Sequence, residues 1–191
     1  MRTRTRLLAS TAVAILVVTA LANPASASPS LRDPSLASFQ GRTIDLSKSW
    51  QGAQVCAVLS RSEVRCYATN EQATADLAPR ISSTGTTRSA GPIGTFAWNG
   101  CDNSWICIWE HASFQGRKLQ FNDEYWHDLD EWGFKDQTSS WTNNQGGSWT
   151  GCSGSDNGTL GDGAGDNRNM GACTASANLG SYNDRAEHIH G

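Results

Sequence analysis

This sequence predicts an all-β fold, short strands packed as a two-sheet sandwich, on three observations. Seven of the eight tryptophans (Trp98, Trp105, Trp109, Trp126, Trp132, Trp141 and Trp149) fall in about a third of the chain, which puts the core of a small domain there. Stretches such as "SWICIWE" and "RKLQF" alternate and are rich in β-branched or aromatic residues. Gly, Asn and Asp separate these stretches, which leaves little room for helix.

Taken in order, residues 1–27 read as a signal peptide. Arg2, Arg4 and Arg6 precede an apolar run from Leu7 to Ala22, and Ala25-Ser26-Ala27 supplies the small-x-small cleavage pattern. The run is shorter than the roughly 20 residues that span a bilayer. A secreted protein beginning near Ser28, with no membrane attachment after cleavage, is the expectation. Residues 28–79 read as a small hairpin module. In "VCAVLSRSEVRCY" the pairs Cys56/Cys66 and Val58/Val64 sit symmetrically about Arg61, as two antiparallel strands folded back on each other would place them. "NEQATADLAP" then suggests a short helix capped by Asn70 and stopped before Pro79. Residues 80–94, rich in Ser, Thr and Gly, read as a linker. Residues 95–191 form the main β domain. "SWICIWE" and "RKLQF" are joined by the turn "HASFQG", and "SSWTNN" and "AEHIH" are further short strands.

Six cysteines in a secreted chain imply a disulfide framework, and the absence of Cys-x-x-Cys argues against a zinc or dithiol redox centre. Symmetry pairs Cys56 with Cys66. Locality then pairs Cys101 with Cys107 and leaves Cys152 with Cys173.

Of the 15 basic residues, three belong to the signal; the remaining 12 face 18 acidic ones, a net charge near −6. That balance argues against a nucleic-acid partner, because phosphate binding needs basic surface. Acidity concentrates at Asp123, Glu124, Asp128, Asp130, Glu131 and Asp136, which favours a cationic partner or a metal ion over an anion.

"FKDQTSSW" at 134–141 can be laid on "YNDRAEHI" at 182–189. In both, an aromatic stands two residues before an Asp (Asp136, Asp184), and the offset of 48 residues is about the length of one Greek key. With "CIWEHASFQG" ahead of it, "DLDEWGFKDQTSSWTNN" resembles a βγ-crystallin Greek-key motif. More narrowly it is similar to secreted peptidase inhibitors of the Streptomyces metalloproteinase-inhibitor type. The resemblance covers residues 95–191. Its second motif is degraded, since "SGSDNGTLGDGAGDNRNMGAC" shows neither a recognisable strand pair nor a Phe-x-Gly turn.

What the resemblance implies for the site is a calcium ion shared by two copies of [Asn/Asp]-[Asn/Asp]-x-x-[Ser/Thr]-Ser, held by oxygen ligands. Asp136, Ser139 and Ser140 from the first copy and Asn183 and Asp184 from the second match it. Lys135 departs by placing an ammonium where an oxygen belongs, and Glu187 with His188 replaces the hydroxyl pair. The expectation is therefore no cofactor, or calcium held weakly, with Ser139 and Ser140 hydrogen-bonding the hairpin above them.

Other constellations carry less chemistry. "NDEYWHDLDEW" interleaves acids and aromatics as a sugar platform or a glycosidase would, but acids on loops are most often a solvated face. His111 and His127 lack a nucleophile motif beside them. His188 and His190 share a face of a chain end expected to fray. Asn157-Gly158-Thr159 forms a sequon, which marks an exposed loop. The resemblance implies a non-enzymatic inhibitor whose partner is an extracellular peptidase. The alternative is a βγ-crystallin-like module that binds calcium or carbohydrate without inhibiting.

Overall fold

Two hairpins begin the described residues. In the computed structural model, which describes residues 33–83, 97–145, 147–148, 151–152 and 156–191, β1 (Leu36–Phe39) and β2 (Arg42–Asp45) turn over Gln40 and Gly41. Both turn residues have positive φ, 49° and 75°, as a two-residue hairpin loop requires. β3 (Val55–Ser60) and β4 (Glu63–Tyr67) follow, and the symmetry about Arg61 is their register, with Val58 opposite Val64 and Cys56 opposite Cys66. A disulfide joins those cysteines, whose Cα atoms are 4.1 Å apart. The expected signal peptide, residues 84–94 of the expected linker, Trp149 and the side chain of Cys152 lie outside the described residues.

Helix α1 (Asn70–Ser83) corrects the sequence expectation at both ends. Its cap is Thr69 rather than Asn70. The Thr69 hydroxyl accepts from the Gln72 N–H at 3.3 Å, and the Gln72 side chain accepts from the Ala68 N–H at 3.1 Å, a close variant of the capping box in "TNEQ". Nor does the helix stop before Pro79. It runs on to Ser83 although a proline removes one backbone bond, and Ala73 and Leu77, both buried, anchor the helix against the sheet.

The first Greek key is β5 (Ile106–His111), β6 (Gln115–Phe121), β7 (Trp126–Asp128) and β8 (Ser140–Asn143). After a short pair, β9 (Gly147–Ser148) and β10 (Gly151–Cys152), comes the second: β11 (Gly158–Gly161), β12 (Asn167–Met170), β13 (Thr174–Ser176) and β14 (His188–His190). The second motif, degraded in sequence, still forms its hairpin: Gly158 pairs with Met170 and Gly161 with Asn167. Its alternation is hard to read because only Leu160 and Met170 are large inward apolar groups, while Thr159, Gly161, Asn167 and Asn169 face outward. The carboxyl-terminal His-Ile-His, expected to fray, is instead a strand paired on both sides, with Ile189 buried against Leu160 and His127.

Each Greek key gives three strands to its own sheet and lends one to the other. The four-stranded sheet runs β12-β11-β14-β7 and the large sheet β13-β8-β5-β6-β3-β4-β1-β2. β3 adds to β6 in parallel and β1 to β4 in parallel. The hairpins at 36–67, expected as a separate module, thus share a sheet with the β domain, and residues 80–83 of the expected linker end α1.

Two cores follow from the layering. Between the sheets, Phe39, Ile44, Val58, Ile106, Ile108, Leu119, Trp132, Phe134, Leu160 and Ile189 pack together. On the other face of the large sheet, Val55, Cys107, Trp105 and Trp109 pack under Ala73 and Leu77 of α1, and a Cys101–Cys107 disulfide ties the preceding loop there. Covered on both faces, β5 is apolar at consecutive positions from Ile106 to Trp109. Lys118 opens onto this second core. Only 2% exposed, its ammonium donates to Asn70 Oδ1 and, at 2.7 Å, to the Gly100 carbonyl.

Candidate functional site

The two repeats found by the 48-residue offset meet face to face. The Asp136 N–H donates to the Ala186 carbonyl at 2.8 Å, and the Asp184 N–H donates to the Thr138 carbonyl at 3.0 Å. These two bonds exchange under the same offset, and Asp136 and Asp184 share a φ of 55°. One residue type favoured in the left-handed region thus sets the same bend in both loops. The symmetry extends outward, because the Ser139 N–H donates to the Trp109 carbonyl at 2.9 Å and the Glu187 N–H to the Gly161 carbonyl at 2.8 Å. Each repeat therefore hangs from the first strand of its own hairpin.

A guanidinium braces each half. In the first, Arg117 pairs with Glu110 at 2.9 Å, donates to Gln137 and lies over the Phe134 and Trp50 rings at 5.5 and 4.8 Å. Hydrogen bonding from Arg117 holds the Glu110 carboxyl below its usual range against the opposing effect of burial. In the second half, Arg185 pairs with Asp162 and lies over Tyr182 at 5.2 Å. Phe134 and Tyr182 are equivalent under the repeat and both are fully buried. Burial, followed by the negative charges of Asp162 and Asp166, pushes the Tyr182 hydroxyl up to about 12.

The predicted ligand residues divide between the halves. Ser139, buried, places its hydroxyl 2.9 Å from the Glu110 carbonyl and 3.0 Å from Asp184 Oδ1, so one hydrogen bond joins the two repeats. Ser140 donates to the His111 carbonyl at 2.6 Å and accepts from the Phe114 N–H at 3.0 Å, which closes the hairpin turn. Asn183 donates to Asp184 Oδ2 at 2.6 Å. Asp136 is exposed. Where symmetry would set a second oxygen cluster, the Lys135 ammonium meets Glu187 at 3.0 Å, and that hydrogen bond raises the lysine pKa. A divalent ion there would have to displace a cation already on the carboxylate and tolerate its charge nearby. The residues present do not fit calcium on that side. Among the described residues, no three His, Cys, Asp or Glu side chains are grouped to hold a metal.

Two of the remaining sequence candidates hold the fold. His127 is buried between the Phe121 and Trp132 rings and bonds Asp123 at 2.6 Å. Asp128 accepts from the Asp130 N–H at 3.0 Å to start the 3-10 turn Leu129–Trp132. Arg117 owes its role to contacts across strands and does not stand out in the sequence. The Glu110–Arg117 spacing across one hairpin turn was the only clue available.

Residues 94–163 match Peptidase inhibitor family I36. Over those residues the chain is similar to the I36 peptidase inhibitors. The match spans the first Greek key and ends just beyond β11, rather more than a third of the chain. Among solved structures, a beta gamma crystallin from Ciona intestinalis is 22% identical, covers 45% of this chain and 96% of its own, and superposes with a TM-score of 0.35. No curated protein matches the chain significantly.

Proposed function

We propose that this chain is a peptidase inhibitor of the I36 kind, which acts outside the cell and blocks an extracellular peptidase by stoichiometric binding. The family match of residues 94–163 carries the reading. Supporting it are disulfides at Cys56–Cys66 and Cys101–Cys107, which suit an oxidising compartment. Cys173 is also disulfide-bonded. Among the described residues no helix is long and apolar enough to cross a membrane. An inhibitor must stay ordered while it fills a cleft, because a loop ordered only on binding loses affinity. Short disulfide loops and repeats locked to each other meet that need.

Inhibition in this reading needs no calcium. The Ser139–Asp184 hydrogen bond and the Lys135–Glu187 ion pair already join the two Greek keys, which is the task a shared ion would perform. The test is titration of the purified protein into thermolysin-like metallopeptidases and subtilisin-like serine peptidases. Stoichiometric loss of activity in one of them supports the reading. No inhibition at micromolar protein across both classes would replace it with that of a binding module.

A further inference from the structure

On the small-sheet side of the molecule two neighbouring aromatics, Tyr125 and Trp126, stand 55% and 54% exposed. Neither is loose. The Trp126 ring lies 5.3 Å from that of His190, its cross-strand neighbour, and reaches over Gly161, where an added Cβ would sit 3.8 Å from the indole. Tyr125 is held under the Arg61 guanidinium at 4.8 Å. An exposed aromatic whose orientation is already fixed loses little entropy on binding, and Trp and Tyr lead the residues that dominate interfaces.

The surroundings choose the partner. Glu124 adjoins the pair in sequence, Asp128 stands two residues from Trp126 on the same face of β7, and Asp130 follows two residues on; all three are exposed, and Glu131 is half-buried. Burial, and then the negative charge of Asp128, pushes the Glu131 carboxyl up, as a local excess of negative field would. Arg61 on Tyr125 shows that a guanidinium settles on these rings. Trp126 offers a better ring of the same kind.

We propose that Tyr125 and Trp126 anchor a docking surface for a basic protein partner, which seats arginine or lysine side chains on the indole and among the carboxylates around it. In naming that partner as the target peptidase, the proposal rests on the inhibitor reading above. The surface itself is tested without a peptidase.

Octa-arginine amide is titrated into the purified protein and followed by tryptophan fluorescence, with octaglutamate and chitohexaose in parallel. Saturable quenching by octa-arginine alone is expected, with affinity falling several-fold as NaCl is raised from about 50 to about 300 mM. Trp126→Ala weakens binding about tenfold, and Asp130→Asn weakens it about threefold and flattens the salt dependence. Trp98→Ala, at another exposed indole, leaves affinity unchanged. No quenching, or equal quenching by octaglutamate, overturns the proposal. Quenching by chitohexaose that Trp126→Ala abolishes replaces the basic partner with a polysaccharide. Against any peptidase that the protein inhibits, Trp126→Ala should raise Ki about tenfold with melting temperature unchanged. If the protein inhibits none, the inhibitor reading falls while the octa-arginine result still decides the surface.

Discussion

Raising the pH should stabilise this protein over a range where most proteins are indifferent or weaken, because Lys118 is buried without a carboxylate in contact. Burial, only partly offset by the charges of Asp102 and Glu71, lowers its pKa from 10.5 to about 8. In the unfolded chain the same amine keeps its proton until about 10.5. Between those values the unfolded chain binds more protons, so removing protons favours the fold. From about pH 7 to about pH 9.5 the gain is about 2 kcal/mol. Lys48 and Lys135, whose carboxylate partners raise their pKa, oppose this only above their ordinary value, and Tyr182, pushed up to about 12 in the fold, only once its hydroxyl in the unfolded chain begins to ionise near pH 10. Urea unfolding at both pH values measures the change. Lys118→Met, which keeps the length of the stem, should remove the rise; it leaves Asn70 Oδ1 and the Gly100 carbonyl without this donor, at about 1–3 kcal/mol at either pH. A flat or falling wild-type profile, or the same rise in Lys118→Met, would refute the account.

Three further outcomes follow from the repeat interface and its supports. Millimolar CaCl2 should leave the wild-type melting temperature unchanged. Lys135→Asn should lose little stability without calcium, as removal of a solvent-screened ion pair does, and become calcium-responsive; a calcium-dependent shift in the wild type contradicts this. Asp184→Ala removes the acceptor through which Ser139 joins the two repeats, leaving its hydroxyl only the Glu110 carbonyl, and puts alanine at a φ of 55°, for a loss of about 2 kcal/mol in denaturant unfolding. Asp184→Asn, which keeps both the acceptor and the tolerance, should cost less than half of that. Gly133→Ala would set a Cβ 2.7 Å from the Leu46 carbonyl oxygen at a φ of 58°, and calorimetry should show a loss of about 2 kcal/mol or more; an unchanged melting temperature would mean that the loop moves aside freely.

Local pattern carried what was legible. The mirror about Arg61 gave a register and a disulfide because hairpin partners are close in sequence. The 48-residue offset gave two loops that meet, since a repeat is visible without knowing what it touches. The parallel pairing of β3 with β6 joins residues about sixty apart and leaves no periodic mark, so the hairpins looked like a separate module. β11 and β12 were hard to see because one face is solvated and Gly158, packed against Ile106, leaves no room for a side chain to show the alternation. At the site, Lys135 was legible as a departure from the pattern, while its capture by Glu187 depended on folding the repeats together.

Because β7 crosses to the small sheet and β13 to the large one, neither Greek key can complete its own layer. A polypeptide cut between β8 and β11 would give two pieces, each carrying a strand that belongs in the other's sheet, and their reassociation would restore both. Performed between two molecules, the same exchange produces an intertwined dimer in which every strand keeps its native neighbours. Such a dimer would present two Trp126 faces on one particle, and an inhibitor with one site would become a bivalent one by a change of partner alone.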